Sequence, residues 1–242
     1  MLWPENTSFA FHEAADLGVD LFETDLRVTA DGALICFHDA TLDRTTDGSG
    51  LTARTDLNAI RQLDAGYRHR LAGNFPFRNR GCSVPTLEEI VLRFPTAGFI
   101  VDLKAPGTEE PLARLVSDLE LHGRVIVGSF SDERLHRFRN LTGHRVPTST
   151  ASNETMRAIA AAVAGGRWNP FDRSTVAMQV PISWYGFPVV TRRLVALARR
   201  WQRLLHCWTI NEPGEMERLF ESGVDAVITD RVDLALGASS AT

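Results

Sequence analysis

The chain has little basic charge, few cysteines and no long apolar runs, and each shortage closes off a class of function. Its 26 Lys and Arg are outnumbered by 30 Asp and Glu, a formal net charge of −4. A dedicated nucleic-acid binder carries a basic surplus, so no nucleic-acid partner is expected. The three cysteines, Cys36, Cys82 and Cys207, are odd in number and far apart. They suit neither a disulfide framework nor a CxxC metal site, and a reducing, cytoplasmic setting is the expectation. No apolar run reaches the ~20 residues that span a bilayer, so no transmembrane segment is expected. The opening MLWPENTS lacks the basic and apolar regions of a signal peptide. Low-complexity tracts, heptad arrays and internal repeats are also missing.

What is present is an alternation. Seven short apolar runs read as strands: Asp20–Val28, Phe99–Leu103, Val125–Gly128, Val146–Ser149, Val176–Val180, Leu204–Thr209 and Asp225–Thr229. Amphipathic stretches at Pro111–His122, Asp132–Leu141, Glu154–Ala164, Thr191–Trp201 and Glu212–Ser222 read as helices. Nearly continuous apolar strands belong to a parallel sheet covered on its outside. Strands alternating with helices indicate βα units. Over 242 residues, this many units favours an α/β TIM (β/α)8 barrel over an open sheet. Only seven parallel strands are countable, so the expected barrel lacks its first β-strand. Residues 33–85 break the rhythm with a short strand (Ala33–Phe37), a turn-rich stretch and an Arg-rich segment. They read as an excursion over one end of a single barrel domain covering 1–236, with 237–242 as a short tail. Caps are expected at Asn6 or Thr7, at Ser131, at Ser152-Asn153, and at Thr86 with Glu89 as a capping box. Glu5 reads as part of the approach to the first helix.

The candidate chemistry lies at strand ends. Glu23 and Asp25 are one residue apart on a strand, so period two turns both carboxylates to one face. Two such carboxylates repel and need a cation, most often a hard one. Arg27 shares that face, which argues against simple outward pairing. Asp102 and Lys104 repeat the spacing on the next strand. Asp102 could complete a three-carboxylate metal site, and Lys104 could neutralise an anionic substrate; the plainer alternative is a buried Asp–Lys pair. His38 ends the strand Ala33–Phe37, where an imidazole with an ordinary pKa near ~6.5 suits acid–base work. Trp208, at the end of the sixth run, either lines a substrate pocket or packs the barrel. His206 shares its face. His12, His122 and His136 read as helix residues without a catalytic setting. Trp184, Tyr185 and Phe187 either hold an apolar substrate tail or pack their loop.

These stretches resemble the glycerophosphodiester phosphodiesterase family. The matching segments are PENT at Pro4–Thr7, GVDLFETD at Gly18–Asp25, TADG at Thr29–Gly32, HDATLDRTTDGSG at His38–Gly50, VPTLEE at Val84–Glu89, VDLK ending at Lys104, WTIN at Trp208–Asn211 and GVDAVITDR at Gly223–Arg231. They keep the family's order from one end of the chain to the other. The resemblance implies a TIM barrel that hydrolyses a glycerophosphodiester, or a related lysophospholipid, to an alcohol and glycerol phosphate. It implies one divalent cation, Mg²⁺ or Ca²⁺, held by Glu23, Asp25 and Asp102. It places Lys104 beside the phosphate, His38 as one of two catalytic histidines and Trp208 at the substrate end. The partner it implies is a small-molecule or lipid-derived phosphodiester. The family's pattern begins with a strand ending in His-Arg-Gly, a few residues before PENT, whereas this sequence opens with Met1-Leu2-Trp3. The expectation is reduced activity by about a hundredfold or more, since a positioned acid–base group contributes ~10²–10⁴ in rate. The other reading is a phosphate-binding barrel impaired in catalysis.

Overall fold

All seven apolar runs form strands in the computed structural model, which describes residues 1–239. The chain divides into two compact units, Met1–Val125 and the segment from Ile126 onward.

The first unit opens with helix α1 (Ser8–Asp16), capped by Thr7, whose hydroxyl accepts from the Ala10 amide at 3.1 Å. Strand β1 (Leu21–Val28) pairs in parallel with β3 (Gly98–Leu103) and antiparallel with the short β2 (Leu34–Cys36). The excursion folds between β2 and β3. It carries the single-turn helix α2 (Leu57–Ile60), and helix α3 (Leu87–Arg93) follows it. It is not a bare loop, because Ile35, Phe37, Leu42, Ile60, Ala65 and Val84 bury a small core of their own. Thr86 and Glu89 close the expected capping box on α3. At the other end of α3, the Arg124 guanidinium donates to the Val91, Phe94 and Ala97 carbonyls. Helix α4 (Glu109–Asp118) stops earlier than its pattern predicts. Glu120 takes a left-handed backbone with φ 53°, and His122 falls in a separate 3₁₀ turn. Left-handed backbone is unfavourable for a residue bearing a Cβ and breaks the helical run.

Strand β4 (Val125–Gly128) leads into the second unit. Helix α5 (Asp132–Leu141) follows, then β5 (Thr148–Ser149), α6 (Ser152–Val163) and β6 (Thr175–Pro181). A hairpin of β7 (Ser183–Trp184) and β8 (Phe187–Pro188) comes next. Helix α7 (Arg192–Arg200), β9 (Leu204–Trp208), α8 (Pro213–Ser222), β10 (Ala226–Val227) and α9 (Val232–Ser239) complete it. Its parallel strand order is β4-β5-β6-β9-β10. Met178, Val180, Leu205 and Cys207 share a core with Leu194, Leu197, Met216 and Leu219 of the covering helices. The alternate residues Gln179, His206 and Trp208 therefore face away from that core. Helix α9 takes in residues 237–239 of the expected tail, and 240–242 lie outside the described residues.

One expected cap is replaced. Helix α6 has Ala151, not Ser152, at its N-cap, and Ser152 donates its hydroxyl to the Phe130 carbonyl. The helix's Asn153 amide is satisfied instead by the Asp132 carboxylate, at 3.0 and 3.2 Å. A tertiary acceptor does the work of a local cap.

All three cysteines are buried and free. Burial pushes the Cys36 and Cys207 thiols up to about 12, so neither is a nucleophile near neutrality. No helix among the described residues is long and apolar enough to cross a membrane.

Candidate active site

The β1–β3 register sets Asp25 directly beside Asp102. Parallel neighbours lie about 4.8 Å apart, and both residues are buried. Two carboxylates brought that close repel unless a cation lies between them. Lys104, just past the end of β3, supplies one. Its Nζ lies 3.0 Å from Asp25 Oδ1 and 2.7 Å from Asp102 Oδ2. Burial works against the ammonium's charge, but the two carboxylates outweigh it and hold the Lys104 pKa above its ordinary value. The predicted buried Asp–Lys pair therefore exists, in a three-membered form.

Asn6 fixes Asp25 from the other side. Its Nδ2 donates to Asp25 Oδ2 at 3.0 Å and its Oδ1 accepts from the Thr24 hydroxyl at 2.5 Å. This requires a left-handed Asn6 backbone, φ 52°, which asparagine tolerates better than most residues. Asn6 is thus a site residue, while Thr7 takes the cap.

Glu23 lies two residues before Asp25 on the same strand and is exposed. Among the described residues, no three His, Cys, Asp or Glu side chains are grouped so as to hold a metal ion. The donor chemistry nevertheless fits a hard cation. Asp102 Oδ1 is buried with no hydrogen-bond partner, and carboxylate oxygens are the ligands Mg²⁺ and Ca²⁺ take. An orphaned carboxylate oxygen is costly without a cation or donor.

His38 is the second residue past the end of β2. The Phe37 amide donates to the Asp25 carbonyl at 2.8 Å, and Arg27 Nε donates to the His38 carbonyl at 2.7 Å. The strand pairing thus sets Phe37 beside Asp25 with His38 as the next residue, its side chain about half exposed (49%). Its Nδ1 is 2.6 Å from Asp39 Oδ1. Asp39 also accepts from Arg44, and Arg44 forks onto Glu5 through Nη1 and Nη2, at 2.8 and 2.5 Å. Glu5 is therefore part of the site's periphery rather than a bland residue before α1.

In the second unit, Trp208 ends β9 half-buried. It meets Phe130 edge-to-face at 5.6 Å between ring centres and is joined to Thr209 by a cis peptide. His206 is buried, with its Nδ1 unpartnered. Trp184, Tyr185 and Phe187 are 55%, 88% and 76% exposed on the β7–β8 hairpin, where Trp184 and Tyr185 meet edge-to-face at 5.4 Å between ring centres. His12 bonds the Ser8 carbonyl and Arg93 and takes no part in the cluster.

Comparison with known proteins identifies the family. The glycerophosphoryl diester phosphodiesterase family model matches residues 1–234. The probable glycerophosphodiester phosphodiesterase 2 of Mycobacterium tuberculosis is 33% identical over 234 residues, 96% of this chain and 83% of that protein. Two solved structures share the fold. One is the glycerophosphoryl diester phosphodiesterase domain of a further M. tuberculosis protein, with TM-score 0.82, 17% identity, and 100% and 95% of the two chains covered. The other is an Oleispira antarctica phosphodiesterase in complex with the product sn-glycerol-3-phosphate, with TM-score 0.77, 22% identity, and 98% and 92% covered. The fold class is accordingly α/β of the TIM-barrel type, and active sites of such folds gather at the carboxyl ends of the strands, where Lys104 follows β3. By the match over nearly its whole length, the chain belongs to the glycerophosphoryl diester phosphodiesterase family, enzymes of the phosphoric diester hydrolase class.

Proposed function

We propose that the protein hydrolyses a glycerophosphodiester, or a lysophospholipid of the same chemistry, to an alcohol and glycerol phosphate with the help of one divalent cation. Asp25 and Asp102, with Glu23 beside them on β1, would hold the cation. The observation that carries the reading is the buried Asp25–Lys104–Asp102 cluster with its orphaned carboxylate oxygen. The product named in the Oleispira structure supports the substrate class.

A phosphodiester anion repels nucleophiles, and catalysis of its cleavage is largely positioning and charge stabilisation. When bound, a hard divalent ion withdraws charge from the phosphoryl oxygens. Lys104 adds a fixed positive charge at the same place. Asn6 keeps the Asp25 carboxylate from rotating away. His38 transfers a proton at the leaving alcohol oxygen. Three buried free thiols suit a reducing, cytoplasmic setting.

Phosphorus NMR of sn-glycero-3-phosphocholine with the purified chain tests the reading. The diester resonance is expected to give way to a phosphomonoester one. A diester that binds and persists would overturn hydrolysis in favour of a phosphate-binding barrel.

A further inference from the structure

A second polar array ends on His38, and its other members, Glu5, Arg44 and Asp39, have no part in the proposed reaction. Glu5, Arg44, Asp39 and His38 form one chain of hydrogen bonds. Arg44 Nε reaches Asp39 Oδ2 at 2.5 Å, Nη2 reaches Asp39 Oδ1 at 3.1 Å, and the other edge of the guanidinium forks onto Glu5. Asp39 Oδ1 then meets His38 Nδ1 at 2.6 Å.

We propose that Asp39 is a positioning residue for His38, holding its proton on Nδ1 and presenting Nε2 as the working nitrogen, and that Arg44 braced on Glu5 holds Asp39 for that task. The proposal rests on the reading of His38 as the acid–base group.

Three arguments support it. First, an ionised carboxylate only accepts hydrogen bonds. Arg44's hydrogen bonds, then that of His38, outweigh partial burial and hold the Asp39 carboxyl low, at about 2. The proton between Asp39 and His38 therefore sits on Nδ1. Second, the array carries an unbalanced charge of its own: Glu5 and Asp39 bring two carboxylates against the single guanidinium of Arg44, so the face that Asp39 turns to the His38 ring accepts hydrogen bonds and does not donate them. Third, stability does not account for the array. The side chains of Arg44 and His38 are about half exposed (48% and 49%), and exposed ion pairs contribute little. Yet Arg44 and Glu5 meet bidentately across a sequence separation of 39 residues, a geometry that fixes orientation.

The test is ¹⁵N NMR of the His38 ring, combined with steady-state kinetics. In the unaltered protein, the neutral ring is expected as the Nδ1–H form. Asp39→Asn presents an amide that can donate to Nδ1, and the ring is expected to shift to the Nε2–H form. Its kcat should fall about 10–100-fold with KM little changed, below the ~10⁴ seen when a fully buried orienting carboxylate becomes an amide. Arg44→Gln, which leaves Asp39 without its brace, is expected to give a mixture of the two forms. If Asp39→Asn fails to fold, the Arg44→Gln spectrum decides. An Nδ1–H ring in whichever variant decides, or kcat lost only in step with melting temperature, would overturn the proposal. The ring spectrum needs no turnover, so it fails independently of the hydrolysis reading. Normal turnover by His38→Gln would sink the acid–base role while leaving the spectrum interpretable.

Discussion

His38→Gln is expected to lower kcat by ~10²–10⁴, the range a positioned acid–base group contributes, while leaving the fold intact. Half of the side chain is exposed, and surface substitutions usually move stability by less than ~0.5 kcal/mol. The loss would therefore be chemical. KM should change little, because binding of the anion falls to the Lys104 side of the site. Lys104→Met is the informative contrast. It removes a fixed charge worth ~10²–10³ in rate. It also leaves Asp25 and Asp102 facing one another without the ammonium between them, so with no divalent ion added it should destabilise the protein as His38→Gln does not. Melting curves alongside steady-state kinetics check both. Unchanged kcat in His38→Gln would remove the histidine from the mechanism.

The second large effect is on stability and lies in the second unit, around Arg139. This guanidinium is 8% exposed and Glu154 2%. Arg139 donates to Glu154 Oε2 at 2.8 Å, to the Thr148 and Thr175 hydroxyls at 3.0 and 2.8 Å, and to the Ser149 carbonyl at 3.0 Å. Glu154 Oε1 in turn accepts from the Thr175 hydroxyl and the Asp172 amide. One ion pair thus ties α5, α6, β5 and the start of β6. Removing one member strands a buried charge, so Arg139→Met should cost ~3–5 kcal/mol. At ~2–4 °C per kcal/mol for a domain of this size, the melting temperature should drop by roughly 6–20 °C. The double variant Arg139→Met with Glu154→Met should recover much of that, because a buried ion pair and an apolar pair of similar volume are often nearly equivalent. A double variant as unstable as the single one would contradict this account. The neighbouring Asp172 adds a pH dependence. Partial burial opposes its charge, but bonds from Ser174 and His144 and the charge of Arg139 hold its carboxyl below the usual range. A depressed carboxyl contributes stability that is present above its unfolded pKa near ~3.9 and is lost as pH falls through the folded value. Acid unfolding should therefore begin below about pH 4.

The sequence showed the fold where one period dominated. Helix α5 has the predicted bounds, and the alternating spacing of Asp25, Asp102 and Lys104 put all three in one cluster. Period two reports a face, and the face was right. It does not report how far a side chain reaches. Glu23 shares the strand face with Asp25 yet is exposed, while the Lys104 ammonium takes the place between the carboxylates. Residues whose role depends on loop closure were illegible. Glu5, Asp39 and Arg44 meet only once the turn-rich segment after β2 folds back on the approach to α1, and Asn6 meets Asp25 and Thr24 only once that approach lies against β1; no spacing rule encodes either. The motifs PENT and HDATLDR marked these positions by resemblance without giving them partners. The α6 cap failed for a related reason: a Ser beside the first turn is a local signal, and it lost to the Asp132 carboxylate arriving from α5.

The most direct test of the central claim is metal removal and return. The purified chain is stripped with EDTA, freed of chelator, and offered sn-glycero-3-phosphocholine with and without added Mg²⁺ or Ca²⁺. The account predicts that glycerol phosphate release stops on stripping, returns when one of the two ions is restored, and does not return in Asp25→Asn or Asp102→Asn. Release that survives stripping, or that returns equally in the two carboxylate variants, would contradict it.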